Sequence, residues 1–191
     1  MRHSPKKGTS EVLVAAVDEP GLLSMIAGAM LANRIDILSA QIHTRQGGEA
    51  LDVFQVAYRE DTARFARLEE DLLRVLAGPQ TVEALIAARR PRSGLRPRVT
   101  PAVPTEVELD NDVSRDYTVI DVYTQDRLGV LYAITRTLSE LGLDIALSKV
   151  ATEAERVADI FYVRGEAGKI TDPARQTEIV TRLRAALAEL K

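Results

Sequence analysis

An internal repeat limits the fold of this chain more than any other feature of its sequence. Three blocks of the first half align, in the same order, with three blocks of the second half: Asp18–Leu23 with Asp126–Leu131, Asp36-Ile37 with Asp144-Ile145, and Ala50–Val56 with Val157–Val163. The first two pairs share an offset of 108 residues, and a gap of one residue precedes the third. Because three matches at a nearly constant spacing are not expected by chance, we infer a duplicated domain.

The hydrophobic pattern predicts the elements of the first copy. An apolar run over Glu11–Val17 predicts a buried strand, and the spacing of apolar residues over Leu22–Met30 predicts a helix. The later elements are, in chain order, a half-buried strand over Ile37–Thr44, a turn at Gln46–Glu49, a return strand over Ala50–Tyr58, a helix over Phe65–Leu76 and, after Gly78-Pro79, a helical stretch capped by Thr81 and running through Ala88.

The order β-α-β-β-α occurs twice, which predicts an α+β fold of two tandem ferredoxin-like domains. A strand near Thr105–Leu109 completes the first copy as βαββαβ, with two helices on one face of an antiparallel sheet. We expect the second copy to lack its own last strand, and either to borrow one or to leave that edge uncovered. The predicted boundaries are 1–10 for a disordered or added terminus, 11–88 and 114–191 for the two domains, and 89–104 for an Arg/Pro-rich linker.

Composition and motif content favour a binding protein over an enzyme. The net charge of −3 and the absence of cysteine argue against a nucleic-acid partner and exclude thiolate metal sites. No apolar run approaches the roughly 20 residues that span a membrane. His3 and His43 have no evident orienting partner, and no phosphate loop or nucleophile motif is present. We therefore expect a cytoplasmic protein with no catalytic residue, metal or cofactor.

The arginines between Arg89 and Arg98 allow two interpretations. A basic cluster is one feature of nucleic-acid-binding surfaces, but no aromatic residue is interleaved here to stack on bases. We favour a solvated linker, because proline, glycine and charged residues are typical of such segments.

The most distinctive repeated element lies where the first strand of each copy meets its helix. Backbone N–H groups at a helix N-terminus attract a carboxylate, and Gly21 and Gly129 allow a ligand to approach the backbone closely. Asp36 and Asp144 open the next strand, where a carboxylate can accept hydrogen bonds from an ammonium group. This combination suits a free amino acid. From the residues alone it is equally plausible that the acidic residues cap the helices and the glycines only turn the chain.

We therefore predict two ligand sites. The candidate ligand-binding residues are Asp18, Glu19, Pro20, Gly21, Leu22, Leu23, Asp36, Ile37, Asp126, Arg127, Leu128, Gly129, Val130, Leu131, Asp144 and Ile145.

These residues also carry a family resemblance. Asp18–Leu23 resembles the D-R-P-G-L-hydrophobic signature of ACT domains, which are small regulatory modules that bind amino acids. Longer segments resemble the two ACT domains of bacterial PII uridylyltransferase/uridylyl-removing enzymes, and the resemblance covers residues 11–190. The segments for the first domain are Ala27–Ala29, Ile35–Thr44 and Ala50–Phe54, and those for the second are Val107–Asn111, Tyr117–Val122 and Arg156–Val163.

The resemblance implies a glutamine-sensing module without catalytic machinery of its own. In that family the ACT domains pair side by side and bind the ligand near this turn, while nucleotidyltransferase and hydrolase domains modify the PII protein. The implied partners are free glutamine, the catalytic domains of a longer protein, and a second ACT sheet within the chain or in a homodimer. An alternative is a dimerisation or docking scaffold with vestigial sites, because Glu19 and Leu128 replace the family's usual Arg and Pro.

Overall fold

The computed structural model describes residues 2–4, 8–43, 48–57, 62–89, 103–153 and 156–190 of the chain. Thr44, Gln46, Tyr58 and the linker from 90 to 102 lie outside the described residues, so the turn and linker interpretations that involve them stay predictions.

In the described residues, eight strands and five helices follow one another in the order that the repeat predicts, with one additional strand near the N-terminus. The strands are β1 (Arg2–Ser4), β2 (Thr9–Val17), β3 (Ile37–His43), β4 (Glu49–Ala57), β5 (Glu106–Asp110), β6 (Thr118–Gln125), β7 (Asp144–Glu153) and β8 (Arg156–Arg164). The helices are α1 (Leu22–Ala32), α2 (Thr62–Leu76), α3 (Val82–Arg89), α4 (Val130–Glu140) and α5 (Pro173–Ala188).

All eight strands form one antiparallel sheet, and its centre joins the two halves of the chain. The strand order is β1-β2-β4-β3-β7-β8-β6-β5. At the centre, β3 pairs with β7, with Ala40 opposite Val150 and Ile42 opposite Ser148. The two ferredoxin-like halves therefore pair side by side within one chain, which the sequence had left open.

The edge strands correct one sequence prediction. The strand expected near Thr105–Leu109 is present as β5, but it pairs with β6 of the second half and does not complete the first half. The connection from β5 to β6 is short, and Asp110 accepts hydrogen bonds from the backbone N–H groups of Asp112 and Val113 at its start. A local hairpin costs little loop-closure entropy, which favours pairing with the strand that follows.

Each half thus takes its fourth strand from the segment that precedes it. β5 lies beside β6 at one end of the sheet, and β1 lies beside β2 at the other, where Arg2 is opposite Glu11. Residues 2–4 and 9–10, which we expected outside the folded domains, therefore belong to the sheet. In the described residues no strand follows α5, so the second half borrows its fourth strand from the linker side.

The helices cover one face of the sheet, and the repeated apolar residues form the core. Ile26 and Phe54 in the first half, and their counterparts Ile134 and Phe161 in the second, are fully buried. Along β2 the side chains alternate between this core and an open face, where Leu13 is 54% exposed. Burial of each large apolar side chain contributes about 2 kcal/mol to the free energy of unfolding. The apolar positions that the two repeats share are therefore the main determinant of the fold.

A close approach of helices holds the halves together. α1 contacts α4 across the centre of the molecule, and α3 also packs on α1. A Cβ atom at Gly28 would lie 2.3 Å from Val82 Cγ2 and 2.9 Å from Tyr132 Cε2. Glycine is therefore required at this position for α1, α3 and α4 to pack.

A buried polar cluster ties the first helices together and corrects the linker boundary. Asp71, which is 1% exposed, accepts hydrogen bonds from Asn33 Nδ2 at 2.8 Å and from Arg89 Nη2 at 2.9 Å. Arg89, assigned to the linker from sequence, is instead the last residue of α3.

The predicted cap at Thr81 is confirmed, because Thr81 Oγ1 accepts a hydrogen bond from the Ala84 N–H. At the start of α5, the Asp172 side chain accepts hydrogen bonds from the N–H groups of Ala174 and Arg175.

Candidate ligand-binding site

The two repeated turns have the same backbone geometry. Gly21 and Gly129 occupy the N-cap positions of α1 and α4 with φ angles of 85° and 97°, in the left-handed region that favours glycine. In each turn the N-cap carbonyl accepts the first helical hydrogen bond, from Met25 N–H and Ala133 N–H, both at 2.9 Å. Neither N-cap residue has a side chain that accepts from the first-turn N–H groups, which leaves these helix ends suited to an anionic group.

Pairing of β3 with β7 brings each turn against the other half of the molecule. The turn 18–23 meets the start of β7 at Asp144-Ile145, and the turn 126–131 meets the start of β3 at Asp36-Ile37. We name these two cavities the first-loop cleft and the second-loop cleft. Every sequence-predicted site residue lines one of them, and each cleft is built by both halves.

The two clefts differ in size. The first-loop cleft has a volume of about 270 Å³, and the second-loop cleft about 30 Å³, which is space for about one water molecule. The cause is a difference between the repeats: Leu31 and Ser139 stand at equivalent positions. A Cβ at Gly129 would lie 3.2 Å from Leu31 Cδ1, whereas one at Gly21 would meet the small Ser139 hydroxyl at 3.0 Å.

An arginine anchors the chain beside the second-loop cleft. The Arg127 guanidinium donates to the carbonyl oxygen of Leu190 at 2.5 Å and to Gln125 Oε1 at 3.1 Å. The Leu190 side chain also lies 3.8 Å from the Cβ position of Gly129. Arg127, predicted from sequence to bind a ligand, thus holds the end of α5 against this turn.

The acidic residues that open the strands have different surroundings. Asp144 Oδ2 accepts a hydrogen bond from Arg164 Nε at 2.9 Å, and both side chains are about half exposed. Asp36 lies beside Asp126, and burial together with the Asp36 charge raises the pKa of Asp126 above its usual range. Asp144 is therefore already paired with a cation, and the second-loop cleft brings two carboxylates together.

A buried carboxylate in the first-loop cleft was not among the predicted site residues. Asp52 lies on β4 in the inward register between Ala50 and Phe54, and it is 1% exposed. Burial raises its pKa to about 7, against the effect of a hydrogen bond from the backbone of His43. The repeat could have pointed to Asp52 from the sequence, because Asp159 occupies the equivalent position of β8 and lines the second-loop cleft. An acidic residue repeated on a core-facing strand position is not expected from packing.

Among the described residues, no cluster of three or more histidine, cysteine, aspartate or glutamate side chains is arranged to hold a metal ion. Within the same part of the chain, no helix has both the length and the apolar character needed to cross a membrane.

The second half of the chain matches one family model. Residues 106–190 match the family model described as "ACR9-like, ACT-like domain". In the solved structures, aspartate kinase from Synechocystis matches with a TM-score of 0.55 at 14% identity, over 96% of this chain and 28% of that one. This likeness extends over both halves and concerns the fold alone.

Curated relatives match the whole repeat. The bifunctional uridylyltransferase/uridylyl-removing enzyme of Rhodospirillum rubrum is 41% identical over 97% of this chain, and that of Bradyrhizobium diazoefficiens is 39% identical over 95%. The enzyme of the same name from Rhodopseudomonas palustris is 41% identical over 91% of the chain. The chain spans about a fifth of the length of these relatives, in their C-terminal region.

Proposed function

Because the chain is a tandem of ACT-type domains that matches the C-terminal region of bifunctional uridylyltransferase/uridylyl-removing enzymes, we propose that it is a regulatory module that binds a free amino acid between its two domains. Glutamine is the ligand that we propose. The observation that carries this proposal is that the first-loop cleft is built from the turn of one domain and the strand opening of the other.

The chemistry of the first-loop cleft suits a small zwitterion. The first turn of α1 presents backbone N–H groups for a carboxylate, with Gly21 as N-cap. Apolar side chains of Leu22, Leu23 and Ile145 form part of the wall, and carboxylates of Asp18 and Asp52 supply acceptors. Its volume of about 270 Å³ is close to the lower limit of about 300 Å³ typical of ligand pockets.

A ligand in this cleft would couple the two domains. It would contact both halves, so its binding free energy would stabilise their present arrangement relative to any arrangement that separates the turn from β7. A ligand shifts an equilibrium only through such a difference in affinity between two states. We propose that catalytic domains elsewhere in a longer protein respond to this shift, and that they carry out the uridylylation and hydrolysis named for the relatives.

We propose one ligand per chain. The second-loop cleft has a volume of about 30 Å³ and is narrowed by Leu31, so a molecule of the size of glutamine does not fit without rearrangement. The small volume of the second-loop cleft favours the alternative of a scaffold with a vestigial site, but for this cleft only.

Isothermal titration calorimetry with L-glutamine tests the proposed function, with L-glutamate as control ligand. We expect saturable binding of glutamine near one molecule per chain and weaker or no binding of glutamate. Gly21→Ala places a Cβ 3.0 Å from Ser139 Oγ in the cleft, and we expect it to weaken binding. Gly78→Ala is a matched control, because Gly78 has a similar φ of 83° with no atom within 4 Å of the added Cβ. Equal binding by the two variants would contradict the assigned site, and absence of binding by the parent chain would contradict the function.

A further inference from the structure

The environment of Asp52 contains an unsatisfied hydrogen-bond acceptor. Its side chain is 1% exposed, and Oδ1 has no hydrogen-bond partner in the described structure. The carboxylate accepts one hydrogen bond, from the backbone N–H of His43. A buried acceptor without a donor costs roughly 1–3 kcal/mol, so a protein retains one only where something offsets this cost.

The unsatisfied acceptor belongs to a cavity that is large enough for a ligand. Asp52 lines the first-loop cleft, below the turn at the start of α1. Its counterpart Asp159 lines the second-loop cleft, where Leu31 leaves little space. The buried carboxylate of the first cleft is therefore the one that a small molecule can reach.

The charges around this cleft favour a cationic group. Among the described residues that line it, several are acidic and none is basic. The acidic groups around Asp52 are Asp18 and Glu19 from the β2–α1 turn and Asp144 from the start of β7. Two basic or titratable groups lie nearby, Arg164 of β8, which is paired with Asp144, and His43 of β3. The His43 side chain is exposed and points to the face of the sheet opposite to the core. Because Arg164 already pairs with Asp144, Asp52 is the buried carboxylate that still has an acceptor to offer.

We propose that Asp52 binds the α-ammonium group of the amino acid in the first-loop cleft, while the first turn of α1 binds its α-carboxylate. This assignment rests on the proposed function and replaces the expectation that Asp144 orients the ammonium. The ammonium donates a charge-assisted hydrogen bond to Oδ1 of Asp52, which satisfies the acceptor.

Binding is then linked to a proton. The pKa of Asp52 is about 7 because the carboxylate is buried, so near neutral pH a substantial fraction of the ligand-free protein carries a proton there. The ligand's ammonium favours the ionised form, so binding releases this proton. With a pKa of about 7, the affinity falls about tenfold between pH 8 and pH 6.

The test is a cycle of two ligands and three proteins by isothermal titration calorimetry of the 191-residue chain. The ligands are L-glutamine and glutarate monoamide, which is glutamine without its α-ammonium group. The proteins are the parent chain, Asp52→Asn, and Asp159→Asn as the matched change in the second-loop cleft. We expect the parent chain and Asp159→Asn to prefer glutamine by about 10- to 100-fold, the range of a hydrogen bond to a charged group.

In Asp52→Asn we expect that preference, the proton release and the dependence of affinity on pH all to be lost. Proton release is measured from the binding heat in buffers of different ionisation enthalpy. If Asp52→Asn keeps the preference and the pH dependence, or if Asp159→Asn loses them instead, the assignment of Asp52 is wrong while amino-acid binding stands. If the parent chain binds glutamine neither at pH 6 nor at pH 8, the proposed function fails and the assignment of Asp52 fails with it.

Discussion

The substitution Asp52→Asn should make the ligand-free protein more stable at alkaline pH, by an amount that follows from the burial of this carboxylate. Its pKa in the folded protein is about 7, against an ordinary value of 3.8. The folded state therefore holds a proton on Asp52 between about pH 4 and pH 7, where the unfolded state has lost it. Stability contributed by this group consequently falls as the pH rises through that interval, and the loss is nearly complete at about pH 8.

The size of the effect can be calculated from the two pKa values. Each unit of difference corresponds to about 1.4 kcal/mol, so the full cost of ionised Asp52 is about 4 kcal/mol. Between pH 5 and pH 8 the stability of the parent chain should fall, relative to that of Asp52→Asn, by about 2.5 kcal/mol. For a domain of this size that difference corresponds to about 5–10 °C in Tm.

Urea unfolding at pH 5 and pH 8, followed by circular dichroism, measures this difference. All other titrating groups are common to the two proteins and cancel in the comparison. Asp116→Asn, which removes the same charge from an exposed turn, controls for net charge. A stability difference between Asp52→Asn and the parent chain that is the same at both pH values would refute the reasoning, as would a larger difference at pH 5.

Three further substitutions test the packing and the clefts. Gly28→Ala should destabilise the fold by about 1–3 kcal/mol in urea unfolding, because its Cβ overlaps Val82 and Tyr132; an unchanged midpoint would contradict the helix packing. Asp71→Ala should cost about 3 kcal/mol of unfolding free energy in the same assay, because it removes a buried acceptor of Asn33 and leaves the half-buried Arg89 guanidinium without its carboxylate; a neutral effect would contradict a stabilising role of this cluster. Ser139→Leu copies Leu31 of the first repeat into the equivalent position of the second repeat and should fill the first-loop cleft, so that calorimetry shows at least tenfold weaker glutamine binding with an unchanged circular dichroism spectrum; retained affinity would contradict the explanation of the size difference.

Local pattern was sufficient to predict most of the elements. The alternation along β3 reflects burial of one face, whereas α1 is buried on nearly all sides between the sheet and the neighbouring helices. The structure confirms both elements within one or two residues at their ends. The repeat also located both turns, because a glycine with positive φ at the N-cap is required wherever the strand enters the helix in this way.

Local hydrophobic patterns did not predict which distant strands pair with each other. The sequence of β5 is compatible with either outer edge of a sheet, and only the short turn to β6 decides which one it joins. The composition of each cleft was likewise hidden, since the turn 18–23 and Asp144 are far apart in sequence and meet only through the β3–β7 pairing. The sequence shows that Asp52 is a repeated acidic residue, but its role in binding can be inferred only from the cavity that the second half of the chain completes.

A ¹H–¹⁵N NMR titration of the chain with L-glutamine tests most directly whether the two halves share a ligand site. We expect saturable shift changes in the turn 18–23 and at Asp144-Ile145, which belong to different domains, together with a change at Asp52. We expect smaller changes in the turn 126–131 of the second-loop cleft. Changes confined to one domain, or located on the open face of the sheet around Leu13, would contradict a ligand site shared between the two halves.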